Sequence, residues 1–209
     1  MYPWIKRALD VLISAVGMVV LLPAMLLIAA AVRLTSPGPV LFTQKRVGID
    51  RTHFIIYKFR TMRIDTPHDL ATHMLQSPGR YITPVGRFLR VTSLDELPQL
   101  YNVLRGDMSL IGPRPALYNQ YDLIEAREAA GANAVRPGLT GWAQINGRDE
   151  LSIPDKVRFD AQYVQTLSFR MDVKCFFGSF AHVLRRDGVR EGASGERPEA
   201  TFPDKQQSA

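Results

Sequence analysis

The sequence holds a single cysteine, Cys175, so neither an intrachain disulfide nor a thiolate metal site can form, which suits a reducing, cytosolic setting. The four histidines, His53, His68, His73 and His182, show no zinc-site spacing. No Asp-x-Asp occurs, which removes the usual metal-binding signature of a nucleotide-sugar glycosyltransferase, and no Gly-x-x-x-x-Gly-Lys, which removes a P-loop. Aromatic side chains are sparse among the basic residues, so nucleic acid is not an expected partner. Repeats and low-complexity runs are absent, and one domain is the simplest organisation.

One stretch without charge is itself a feature. Val11 to Val32 carries no Asp, Glu, Lys or Arg. As a straight helix it would reach about 33 Å, enough for a hydrocarbon core of roughly 30 Å. Pro23 falls in its middle, where a proline deletes a hydrogen bond and kinks a helix. Bases flank both sides, Lys6 and Arg7 before, Arg33, Lys45 and Arg46 after, so the positive-inside rule names no direction. Two readings stand: a hairpin bent at Pro23 that returns to its own face, or a single span with a tolerated proline. A cleaved signal peptide is not expected, since the apolar stretch is too long and no small-residue site of Ala-x-Ala type closes it convincingly before Arg33. Residues 1–92 carry 12 Lys/Arg against 4 Asp/Glu, and residues 93–209 carry 14 against 16. A basic half beside a membrane segment suits anionic headgroups and phosphorylated ligands.

Beyond Pro37-Gly38-Pro39, Val40–Gln44 and His53–Phe59 read as strands around a Gly48-Ile49-Asp50 turn. Residues 64–84, polar and proline-punctuated, read as a mobile loop over a site. Ser93-Leu94-Asp95-Glu96-Leu97-Pro98-Gln99-Leu100 then places adjacent carboxylates at the start of a helix running to Gly106, with Ser93 and Glu96 spaced as a capping box, or with Asp95 as the cap. Such a terminus attracts anions, although the acids could equally just complement the helix dipole. Gly112-Pro113-Arg114-Pro115 holds one guanidinium between two prolines, and Arg136-Pro137-Gly138 through Gly147-Arg148 packs glycines with arginines. Helices are expected at Ile153–Leu167 and Asp172–Asp187. In the second, Asp172 can cap, and Val173, Phe176, Phe177, Phe180, Val183 and Leu184 form a stripe suited to a core or to a bilayer interface.

Four motifs in order, Lys58-Phe59-Arg60-Thr61-Met62, Ser93 to Gln99, Gly106 to Pro115, and Arg136 to Arg148, make residues 1–190 resemble the bacterial sugar transferases, the monotopic polyprenyl-phosphate phosphoglycosyl transferases, in their small form. The resemblance implies a mixed, helix-rich α/β fold: a re-entrant membrane hairpin over residues 1–36, a compact cytosolic catalytic domain over 37–190 with interfacial amphipathic helices, and a polar tail over 191–209. It implies transfer of a sugar 1-phosphate from a UDP-sugar to polyprenyl phosphate at the cytoplasmic face of a bacterial inner membrane, with release of UMP. Asp95 matches the family's nucleophile and Glu96 its Mg²⁺-associated acid. Arg90 and Arg114 are the expected phosphate and nucleotide contacts, with Lys58, Arg60 and Arg148 as further phosphate candidates. Pro113 and Pro115 flank Arg114 at the same substrate site, and Pro23 marks the hairpin bend, although Leu22 stands where some relatives carry serine. A catalytically inactive membrane-anchored scaffold that binds nucleotide or lipid phosphate is the alternative, and the intact Asp95-Glu96 pair argues against it. The sugar and the oligomeric state stay open.

Overall fold

A computed structural model of the protein describes residues 2–67, 78–147 and 151–185, with side chains as far as Ser179 in the last segment. The first element, α1 (Tyr2–Thr35), is long and apolar enough to cross a membrane by length and composition. It stays helical through Pro23, so the expected hairpin does not take the form of two helices separated by a break. Proline removes one N–H from the ladder and crowds the carbonyl four residues back, which bends a helix without having to end it when the flanking turns are intact.

Its two faces differ. Leu12, Val16, Val19, Val20, Leu26 and Leu27, spaced for one side of a helix, are exposed. The opposite side is docked at both ends. Arg7 donates to the Val103 and Leu104 carbonyls at 2.7 and 3.0 Å, and Asp10, 4% exposed, accepts from Ser109 Oγ at 2.7 Å and from the Leu110 N–H at 3.1 Å. Farther along, Val32 is buried with Phe59 and Leu89, and Met25, Ile28 and Ala29 pack against that cluster. Residues 1–36 are therefore packed on the domain that follows them.

An antiparallel hairpin comes next, β1 (Leu41–Val47) with β2 (His53–Phe59), in a register from Leu41↔Phe59 to Val47↔His53. β1 extends three residues past its expected end because Lys45, Arg46 and Val47 all find partners on β2. One face presents Phe54 and Ile56 to Val103 and Met108. Asn102, fully buried, extends that contact: its amide oxygen accepts from the Tyr57 N–H at 3.1 Å, and its amide nitrogen donates to the Ile55 carbonyl at 2.7 Å. A side-chain amide thus satisfies the edge of β2 and ties it to the helix carrying Asn102.

Residues 68–77 of the expected loop lie outside the described residues, and its end is helical. Thr83 accepts from the Gly86 N–H to cap α2 (Pro84–Thr92), with Pro84 in the first turn. A 3₁₀ turn, Leu94–Glu96, leads to α3 (Gln99–Arg105), which ends at Gly106. Two short parallel strands, β3 (Ser109–Ile111) and β4 (Gly138–Thr140), then lay the Gly112–Pro115 loop beside the second glycine-rich block. Gly112 N–H donates to the Thr140 carbonyl at 2.8 Å, and Gly138 N–H to the Pro113 carbonyl at 2.8 Å. A Cβ on Gly138 would stand 2.1 Å from Gly112 N, so only glycine permits this approach.

Between the strands lies α4 (Tyr121–Ala129), and after them α5 (Trp142–Ile145), α6 (Ile153–Gln165) and α7 (Phe169–Arg185). The two expected C-terminal helices are present, but α7 starts earlier than expected and Asp172 does not cap it. Asp172 is buried, receiving hydrogen bonds from Tyr2, Lys6 and Tyr163. The side of α7 turned inward carries Cys175, against Ile111 and Tyr163, while Phe176 and Phe177 are exposed. The tail over 191–209 lies outside the described residues.

The docking of α1 can be tested at Asp10. Replacing Asp10 by Ala leaves the Ser109 hydroxyl and the Leu110 N–H without their acceptor and should lower the stability of the detergent-solubilised protein by about 1–3 kcal/mol. Leu12→Ala, on the exposed side, should change the melting temperature little. Equal melting temperatures for Asp10→Ala and the parent protein would contradict the docking.

Candidate active site

The adjacent acids lie on the Leu94–Glu96 turn, and the local backbone explains why. Ser93 adopts a left-handed conformation (φ 57°, ψ 16°) and closes α2 through its N–H to the Arg90 carbonyl. It makes no side-chain cap, so the expected capping box does not form: the residue ends one helix instead of starting the next, and Pro98 occupies the N-cap of α3. The corner has a steric cost, since a non-glycine residue seldom takes positive φ. In return, Leu94 and Leu97 turn into the apolar cluster with Val32 and Phe59, while the two acids between them meet cations.

Glu96 Oε1 accepts from Lys58 Nζ at 2.7 Å and from Arg114 Nη2 at 2.9 Å. Lys58 reaches it from the end of β2, on the hairpin face that also carries Ile56 and, through the β1 partner of Phe54, Arg46. Arg46, Ile56, Lys58, Arg114 and Pro115 line a small cleft beside the acids. Arg46 was not among the expected site residues. The period-2 alternation that puts Lys58 on this face was the signal that could have found it. Arg46 also donates to the Pro115 carbonyl at 3.0 Å, which fixes one end of the Arg114 loop.

The electrostatics separate the two acids. Burial would raise Glu96, but Arg114 and Lys58 together overcome it and hold its carboxyl far below the usual range. Burial also pulls Lys58 down from its ordinary value, against the pull of Glu96. Among the described residues Asp95 has no such direct partner. Burial pushes it up to about 6, the nearby Glu96 charge pushes the same way, and Lys58, Arg90 and Arg114 restrain the rise. Glu96 is thus a fixed anion, while Asp95 is a carboxylate whose charge is poorly compensated, a property expected of a reactive group.

Arg90 lies on the last turn of α2, near enough for its charge to restrain the rise of Asp95. Arg60 does not join the site. It is 6% exposed and donates to the Ser36 carbonyl at 2.8 Å and to the Pro37 carbonyl, satisfying the chain that leaves α1. Arg148 lies outside the described residues. Pro113 and Pro115 are beside Arg114 as expected, with their carbonyls occupied by Gly138 and Arg46. Pro23 stands well apart in chain and packing, within the exposed run of α1.

No group of three or more metal-ligating side chains occurs among the described residues. The described residues therefore do not by themselves cage a metal. Two adjacent carboxylates do fit a hard divalent ion that takes most of its ligands from water and substrate phosphates.

Residues 1–186 match the bacterial sugar transferase family along almost the whole described length. The chain belongs to that family. This bacterial sugar transferase is 43% identical over 182 residues to the UDP-glucose:undecaprenyl-phosphate glucose-1-phosphate transferase of Escherichia coli K12, covering 83% of this chain and 39% of the relative. It is 44% identical over 194 residues to a protein of the same name from Caulobacter vibrioides, covering 88% and 71%. To the UDP-N-acetylgalactosamine-undecaprenyl-phosphate N-acetylgalactosaminephosphotransferase of Aeromonas hydrophila it is 37% identical over 195 residues, covering 90% and 46%. The chain thus spans about two fifths of the length of the first of these.

Because Asp95 stands above the value of an unfolded chain, ionising it works against folding. The penalty is absent below about pH 4, grows toward pH 6 and is complete above. Asp95→Asn should therefore melt higher than the parent at pH 7–8, by roughly 2–4 °C or more, with the gap closing toward pH 4. A gap that widens as pH falls would contradict the raised value.

Proposed function

We propose that this bacterial sugar transferase moves a sugar 1-phosphate from a UDP-sugar to a polyprenyl phosphate and releases UMP. The observation that carries the reading is the split pair of carboxylates, Asp95 poorly compensated and Glu96 held by Lys58 and Arg114. The names of the relatives support undecaprenyl phosphate as acceptor and a UDP-sugar as donor. Those names differ in the sugar, so glucose and N-acetylgalactosamine are both candidates.

The chemistry runs in two displacements. An Asp95 carboxylate oxygen attacks the phosphorus that bears the sugar, and the bond to the bridging oxygen breaks with its electron pair leaving on UMP. An oxygen of polyprenyl phosphate then attacks the same phosphorus, the acyl phosphate bond breaks back to the Asp95 carboxylate, and a polyprenyl diphosphate sugar departs. Splitting the transfer lets a soluble donor and a membrane-bound acceptor occupy the site in turn. Arg114 and Lys58, already gathered around Glu96, together with Arg90 and Arg46, supply positive charge to a diphosphate. Mg²⁺ would be held by Glu96, with substrate phosphates completing its ligands, and would neutralise the diphosphate as UMP departs. No observation favours the inactive scaffold.

The membrane geometry follows from α1. A helix whose first turns bind the Val103, Leu104 and Leu110 backbone and whose last turns bury Val32 beside Phe59 has both ends on one domain. We infer that the exposed apolar run enters the bilayer without delivering either end to the far side, which supports a monotopic attachment, proposed at the cytoplasmic face. Leu94 and Leu97 pack at the foot of this helix, so Asp95 and Glu96 would meet a lipid phosphate near the interface. The exposed Phe176 and Phe177 of α7 suit the same interface.

Enzyme given UDP-sugar and Mg²⁺ without acceptor should release about one UMP per active site and stall as a phosphosugar adduct on Asp95, seen by intact mass. Asp95→Asn should abolish burst and adduct. Glu96→Gln should slow the reaction and recover in part with excess Mg²⁺. Full turnover with no adduct under any donor-only condition would point to direct transfer. For topology, with Cys175 replaced, single cysteines at Tyr2 and Thr35 should both resist an impermeant thiol reagent in intact cells and react after lysis. Labelling of the Tyr2 position from outside while the Thr35 position stays protected would mean a span.

A further inference from the structure

We propose that Arg127, braced by Asp160, is a positioning residue that aims Arg114 at the acid pair, and that Tyr163 holds the other end of the same loop. The proposal rests on the phosphoglycosyl transfer reading only for the kinetic form of its test.

The side chain of Arg114 is 43% exposed, so packing does little to choose its rotamer, and a long side chain left to itself spreads over many. Its far end is held by Glu96 at 2.9 Å, and the point from which it reaches that acid is set by the backbone beneath it. That backbone is gripped from α4. Arg127, 5% exposed, donates Nη1 to the Arg114 carbonyl at 2.9 Å. Its other two arms, Nε at 2.9 Å and Nη2 at 2.6 Å, both go to Oδ2 of Asp160, which is 1% exposed on α6. The planar fork is thereby fixed on one side and aimed on the other.

One helical turn further along α6, on the same face, Tyr163 shares its single hydroxyl proton between Asp172 Oδ1 at 2.7 Å and the Ile111 carbonyl at 3.1 Å. The face of α6 carrying Asp160 and Tyr163 therefore fixes the carbonyls on both sides of Gly112-Pro113, with proline limiting the backbone between them. None of Arg127, Asp160 or Tyr163 bonds to Asp95 or Glu96. A buried ion pair is also a poor choice for stability alone, because well-packed apolar residues often do as well or better. What Arg127 does that an apolar residue cannot is bind a backbone carbonyl of the site.

The test is a double-mutant cycle against Arg114→Ala, measuring kcat and KM for UMP release with both substrates, and melting temperature alongside. Arg127→Lys keeps the charge but cannot serve Asp160 and the carbonyl together. Tyr163→Phe removes only the hydroxyl and keeps the packing, so it decides the matter if Arg127→Lys folds poorly. Each should cut kcat/KM by about tenfold in the parent and less than about twofold in the Arg114→Ala background, since aim is irrelevant once the guanidinium is gone. The same cycle read as calorimetric affinity for UMP with Mg²⁺ needs no turnover. Equal losses in both backgrounds, or parental values in both variants, would overturn the proposal. A protein that shows the coupled losses in UMP affinity yet releases no UMP from any UDP-sugar would instead overturn the functional reading.

Discussion

The carboxylate of Glu96, accepting from Lys58 at 2.7 Å and Arg114 at 2.9 Å, joins three segments distant in sequence: the end of β2, the turn before α3 and the loop after β3. Taking an acid out of water costs several kcal/mol, and only close cations with hydrogen bonds offset it. Two cations on one oxygen do so here, which is why burial fails to raise Glu96. The arrangement also sets Asp95 apart. Its neighbour has taken the direct contacts, so its own charge is balanced only at longer range, and it rises to about 6. One interaction thus yields a fixed anion suited to a cation and a second carboxylate suited to attack.

The apolar chemistry of the fold converges on the same turn. Leu94 and Leu97 join Val32, Phe59 and Leu89, while Asn102 ties α3 to the edge of β2. The acids are therefore held between the foot of α1 and the hairpin that carries Lys58. Asp172 and Asp10 hold the first turns of α1 to α7 and β3. The proposed transfer to a lipid phosphate needs reactive groups at a set height relative to the bilayer, and a helix docked at both ends would provide that height.

The motifs were legible in the sequence because each is contiguous and carries its chemistry within a few residues: the acid pair, the Pro-Arg-Pro loop, the glycine-rich block. Their mutual approach was implied by family resemblance and is accounted for physically by β3 and β4, where Gly138 admits Gly112. Elements decided by distant partners were not legible. Ser93 fits a capping box locally, yet α2, unforeseen, claims it as its end. Asp172 fits an N-cap, yet Tyr2 and Lys6 from the far end of the chain draw it inward. Arg60 looks like a phosphate ligand beside Lys58, but the Ser36 and Pro37 carbonyls hold it. Arg127 and Asp160 are unremarkable in isolation, and only the fold brings them together under Arg114. Pro23 signals a bend or a break, and the sequence alone does not separate the two; α1 stays helical through it.

The central claim is that Asp95 carries the phosphosugar between two substrates, and the stereochemical course at phosphorus tests it most directly. A UDP-sugar made chiral with sulfur and oxygen isotopes at the phosphorus that bears the sugar would be turned over, and the configuration of the polyprenyl diphosphate product determined. Each in-line displacement inverts that centre, so two displacements through Asp95 predict net retention. Net inversion would mean a single direct transfer and would contradict the account.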